Sequence, residues 1–190
     1  MEANEIQTAL VAAAEEVLET MCFATIFASS EGAITSAGAV TSEAAGPPAE
    51  PAITAGLSFQ GSPSGTFRVG VPPKLARVLA AGFFGREETE VSDEQGAEVV
   101  CELANMICGS VLSRLESEET FHISHPELLG EADLQPLGGA GLQPAQADET
   151  LCPAPDPNRT FPHSQGLSAS HWFDLGDGVL TATLELQQAA

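Results

Sequence analysis

The sequence predicts a single α+β domain, an antiparallel-rich sheet packed against helices and interrupted by two mobile loop insertions. Three observations lead there. Apolar residues recur at helical spacing in three stretches, while several shorter segments are apolar or alternate with period two. The last of these places Leu180, Ala182, Leu184 and Leu186 on one face and Thr181, Thr183 and Glu185 on the other. Between the ordered patterns, residues 29–51 and 130–168 turn to Gly, Pro, Ala and polar residues without periodicity, the composition of insertions outside a core. A chain of 190 residues with 43% apolar content holds one sizeable core, and residues 1–190 are taken as one domain.

The elements follow in order. Asn4 is the expected cap of a first helix running to about Thr20, with Ile6, Leu10, Ala13, Val17 and Met21 as its buried stripe. Glu15, Glu16 and Glu19 form its solvated side. Phe23 to Ala28 is short and apolar, which suggests a first strand. Two further strands, Ile53 to Gln60 and Gly65 to Val71, flank a Gly/Ser/Pro turn. Pro72-Pro73 opens a short helix carrying Leu75, Val78, Leu79 and Phe83, and Gly85 is placed to end it. After an acidic linker, Ser92 or Asp93 caps the central helix, Asp93 to Leu115. Thr120 to Ser124 alternates as a strand that His125-Pro126 should terminate. His171 to Leu175 and Val179 to Leu186 form a closing hairpin across Gly176-Asp177-Gly178.

Composition excludes several functions. With 27 acidic residues against 6 basic ones, the net charge of -21 repels phosphate backbones and anionic lipid, so neither nucleic acid nor a membrane surface is an expected partner. Cys22, Cys101, Cys108 and Cys152 contain no C-x-x-C pair and read as reduced core thiols of a cytoplasmic protein. The N-terminus, Met-Glu-Ala-Asn-Glu, lacks a signal peptide's basic region and apolar run. No metal-ligand spacing, glycine-rich phosphate loop or Gly-x-Ser-x-Gly elbow is present.

The central helix carries the candidate site. At about 100° per residue, Val100, Leu103, Ala104, Ile107, Val111 and Leu115 share one arc, while Glu98, Glu102, Asn105 and Gly109 form a ridge on the other. Asn and Gly are odd choices for such a ridge. Both are weaker helix formers than Ala, Gly by about 1 kcal/mol, so something besides helix stability favours them.

Glu102-x-x-Asn105, with an acid four residues before it, Gly109 four after Asn105, and then Ile123-Ser124-His125-Pro126, resembles the site helix and following strand of the CheC/CheX/FliY chemotaxis phosphatases, most closely the single-site CheX branch. The resemblance covers Ile53 to Gly130. This chain departs from the pattern at Glu98, where Asp or Ser is usual, at His125, where a second Pro is common, and in a slightly shorter Asn-to-Pro interval. Its first helix offers Glu16-Val17-Leu18-Glu19 without the Asn of a second site. The resemblance implies hydrolysis of the aspartyl phosphate of a CheY-like response regulator. Asn105 would orient the attacking water and Glu102 would anchor the regulator through its active-site Lys. Glu98, Gly109 and Pro126 are the expected partner contacts. No cofactor of its own is implied, since the Mg²⁺ sits on the regulator, and homodimerisation through the sheet is. The alternative is a non-catalytic scaffold or flagellar-switch relative of the same fold, which the presence of both Glu102 and Asn105 disfavours.

Overall fold

A computed structural model describes residues 3–31, 35–36, 53–115, 120–130 and 167–187. In chain order these form α1 (Ala3–Met21), β1 (Ala28–Glu31), β2 (Thr35–Ser36), β3 (Ile53–Gln60), β4 (Ser64–Val71) and α2 (Pro73–Phe84). A single 3₁₀ turn, Glu88–Glu90, leads to α3 (Asp93–Leu115), followed by β5 (His122–Ile123), β6 (Glu127–Leu129), β7 (Leu167–Asp174) and β8 (Val179–Gln187). The fold is the expected α+β arrangement.

Strand pairing is antiparallel throughout, in the order β1-β7-β8-β4-β3-β5, with β2 beside β7 and β6 beside β3. Period-two alternation then divides the faces. Leu57, Phe59, Phe67, Val69, Phe173, Leu180, Ala182, Leu184 and Leu186 are buried in one core with the apolar arcs of the helices. The other face carries short polar side chains that bond across strands: Ser170 lies 3.1 Å from Thr183, and Thr66 donates to Glu185. α3 sits between α1 and α2 and packs on β3 and β4, while α1 lies over β7. Beneath α1, Gln7 is buried with its Nε2 2.9 Å from His171 Nδ1, a polar tie between helix and sheet.

Several expectations need correction. α1 already begins at Ala3, so Asn4 is not its cap; the Asn4 carbonyl instead accepts from Thr8 within the helix. Met21 ends outside the core. The apolar run after α1 is not a strand. Phe23 and Phe27 are 79% and 69% exposed, Phe23 takes a left-handed φ of 52°, and pairing starts only at Ala28. Hydrophobic character without a neighbouring strand does not make a strand. Pro126 does not end the edge either, because β6 resumes pairing with β3 just after it.

The expected insertions are trimmed at both ends. Ser29–Glu31 and Thr35–Ser36 pair with β7, and Leu167 and Ser168 open β7 itself. The remainder of 29–51 and 130–168, with Cys152, lies outside the described residues. β8 lies inside the sheet, flanked by β4 and β7. Its alternation reflects a core face and a polar sheet face.

Candidate functional site

The site is one strip of α3, and the helix is built to hold that strip still. Ser92 caps it: Gln95 N–H donates to Ser92 Oγ and Ser92 N–H to Gln95 Oε1, a reciprocal capping box. Arg77 of α2 pairs with Asp93 at 2.7 Å, pinning the first turn. At the far end Arg114 pairs with Glu16 of α1. Between these ties α2 comes close, because a Cβ on Gly96 would lie 3.4 Å from Ala76. Val99, Val100, Leu103, Ala104, Ile107, Cys108, Val111 and Leu112 are buried. α3 is long and apolar enough to cross a membrane by length and composition, yet those apolar residues are core.

What remains visible of α3 is narrow. Glu102 is exposed, and Glu98, Asn105 and Gly109 are half-buried along the same side. The ridge read from the sequence is thus brought together. Among the described residues, no hydrogen bond or ion pair engages the side chains of Glu102 or Asn105. The amide of Asn105 therefore keeps one donor side and one acceptor side open, a turn away from an open carboxylate. Pro126 is not on this strip. It is buried between β5 and β6, where neighbouring Ser124 donates its N–H to the Ser58 carbonyl and accepts from Ser58 N–H through Oγ. Its burial makes it part of the sheet's edge.

The thiols take no part. Burial pushes Cys22 and Cys108 up to about 12 from an ordinary 9.0, which leaves both protonated at neutral pH. Among the described residues no group of three or more His, Cys, Asp or Glu side chains could hold a metal. Sequence reasoning missed the Arg114–Glu16 tie, having taken Glu16 as a solvated acid. A cation near the end of one predicted helix and an acid near the end of another were its only signals.

Sheet order, helix placement and the ridge together define a CheC/CheX-type domain, and solved structures agree. The chain is similar to a CheC-like superfamily protein from Shewanella sp. PV-4 (15% identity, 97% of this chain and 98% of that one, TM-score 0.62). It is similar to chemotaxis protein CheX from Vibrio vulnificus (16% identity, 98% and 99% coverage, TM-score 0.61). A third match is CheX in a CheX–CheY complex with BeF₃ and Mg²⁺ from Borrelia burgdorferi (15% identity, 95% and 97% coverage, TM-score 0.60). The model of the family described as chemotaxis phosphatase CheX matches residues 53–140, the span that contains α3 and its whole ridge. Over that span the chain matches the CheX family. No curated protein matches it.

Proposed function

We propose that this chain is a cytoplasmic phosphatase that hydrolyses the aspartyl phosphate of a CheY-like response regulator. The observation that carries this reading is Asn105, held half-exposed on a pinned helix with its amide unengaged among the described residues, one turn beyond an equally unengaged Glu102. An acyl phosphate is already activated. The remaining task is to hold a water in line with phosphorus, and an amide does that by accepting a hydrogen bond from it without titrating. Glu102 docks the regulator through its active-site Lys, and Glu98 and Gly109 extend the contact along the helix. Mg²⁺ belongs to the regulator. There it offsets charge on the phosphoryl oxygens, and this chain supplies position and the water.

The test is the decay of Mg²⁺-loaded phosphorylated regulators from the same organism, with and without the protein. Accelerated decay that Asn105→Ala abolishes supports the reading; equal acceleration by Asn105→Ala overturns the mechanism. Tight binding without acceleration hands the protein to the scaffold alternative. Homodimerisation, which the resemblance implies, would have to use something other than an edge of β8, which β4 and β7 occupy. Light scattering at micromolar concentration should give twice 19.6 kDa; a monomer mass alone removes the dimer.

A further inference from the structure

The glycine of the ridge is unexplained by the fold. Other glycines have local reasons. A Cβ on Gly65 would strike the Glu185 carbonyl and one on Gly82 the Cys22 carbonyl, while Gly85 takes the left-handed φ of 64° that ends α2. Gly109 has neither restriction. A Cβ there would meet nothing within 4 Å, and its φ is not in the left-handed region. It sits inside α3, where only proline is a poorer helix former. Its carbonyl accepts from Ser113 Oγ in addition, so the turn is intact. Among the described residues nothing calls for the missing side chain.

Position suggests what does. Gly109 follows Asn105 by four residues, about 6 Å along the same face. Asn carries its amide on a single methylene. For that amide to hold a water against a partner's phosphoryl group, the partner surface must come nearly into contact with the helix backbone. One turn on, the same surface passes over Gly109. A methyl there would hold it off by roughly the length of a C–C bond, about 1.5 Å, and a misplacement of about 1 Å can cost on the order of 100-fold in rate.

We propose that Gly109 sets the depth of docking: its bare backbone lets the regulator's surface close on α3 far enough for Asn105 to reach the phosphoryl group. This rests on the phosphatase reading and assigns Gly109 a positioning role rather than a catalytic one.

The experiment compares the full chain with Gly109→Ala and Gly109→Leu in three readouts: thermal unfolding alone, affinity for a regulator carrying Mg²⁺ and beryllofluoride, and kcat for acyl-phosphate decay at saturation. Gly109→Ala should raise Tm by about 2–4 °C, because the helix gains and nothing among the described residues clashes. It should lower kcat at least tenfold, and Gly109→Leu should lower kcat further and weaken binding as well. A fall in Tm for Gly109→Ala would show that the fold itself needs the glycine and overturns the proposal. So does an unchanged kcat in both variants. If the wild type binds a regulator but accelerates no decay, the phosphatase reading fails and affinity decides: a graded loss from Gly to Ala to Leu retains the notch, and equal affinities remove it. If the wild type binds no regulator at all, both proposals fall together.

Discussion

α1 and α3 lie side by side in one layer, and each presents a carboxylate-bearing outer side, yet only one of them is a candidate site. On α3, Glu102 is exposed and Asn105 half-buried, and neither side chain has an intramolecular partner among the described residues. On α1, the corresponding spacing is Glu16-Val17-Leu18-Glu19, with Val17 and Leu18 in the core and Glu16 tied to Arg114. The two outer sides differ by one amide and one ion pair. An acidic helix face is common on a chain of net charge -21; an unengaged amide one turn from an unengaged acid is not. What separates a site from a surface here is side chains left without internal work.

The largest effect that would sharpen this contrast belongs to Asn105→Ala. Losing the group that orients the water should cut acceleration of regulator decay by about 100- to 1000-fold, by analogy with removal of one preorganised hydrogen-bonding group from an active site. Tm should hold or rise slightly, since Asn105 supports no core contact and Ala is the better helix former. Glu102→Ala follows. Loss of a charge-assisted contact worth about 1.5–3 kcal/mol should weaken regulator binding roughly 10- to 100-fold, seen as a raised KM with a smaller change in kcat. Were the two variants to show the same KM-to-kcat split, the division of roles along the ridge would be wrong.

How far these two helices could be read in advance also differs. α3 is legible in its bounds, Asp93–Leu115, and in its broad apolar arc; the sequence offers Ser92 or Asp93 as its cap, and the structure uses Ser92, with Gln95 completing a box that was not foreseen. Its ridge stood out because Asn105 and Gly109 are locally unfavourable choices. The regions around α1 were harder. Phe23 and Phe27 look like core to any scale of hydrophobicity, but the strand they suggested forms only at Ala28–Glu31, in the polar run Ala-Ser-Ser-Glu. That pairing is imposed by β7, nearly the whole chain away, and leaves no local pattern. β6 was hidden for a similar reason. Pro126 signals an end, yet it falls between two short pieces that both pair with β3. The Gln7–His171 contact, joining α1 to β7, has no periodicity to betray it. Local chemistry announces a helix and its site; edge strands and ties between distant elements depend on neighbours that only the fold brings together.

A smaller effect tests the two helices through their thiols. Cys22 follows the end of α1, and Cys108 lies within α3. Burial raises both to about 12, so the folded state favours the protonated thiol relative to an unfolded chain titrating near 9.0. The stability this adds is fully present below pH 9 and is lost as pH climbs from there toward 12. Native protein at pH 8 should therefore leave both residues unmodified by iodoacetamide, as resolved by peptide mass spectrometry. With rising denaturant Cys22 should label first, because a helix end opens before a helix enclosed by α1, α2 and the sheet. Labelling of Cys108 ahead of Cys22 would reverse the ranking of the two helices and undermine the picture of α3 as the rigid platform.

The smallest expected effect is the sharpest test of what an acidic helix face lacks. Glu19→Asn gives α1 the Glu-x-x-Asn spacing of the site, since Glu16 stands three residues before it. Spacing alone would make this a second site. The structure argues otherwise, because Glu16 is engaged by Arg114 and is not available to a regulator's Lys. Glu19→Asn in an Asn105→Ala background should thus restore no measurable dephosphorylation. Adding Arg114→Ala releases Glu16 and should lower stability by at most about 1 kcal/mol, as for an exposed ion pair. Even then activity should stay near background: no bare backbone corresponding to Gly109 lies one turn beyond Glu19, where Phe23 stands. Recovery of more than about a tenth of wild-type acceleration in the double variant would show that spacing suffices, and that the ion pair and the glycine were incidental. Recovery only in the triple variant would assign the silence of α1 to Arg114 alone.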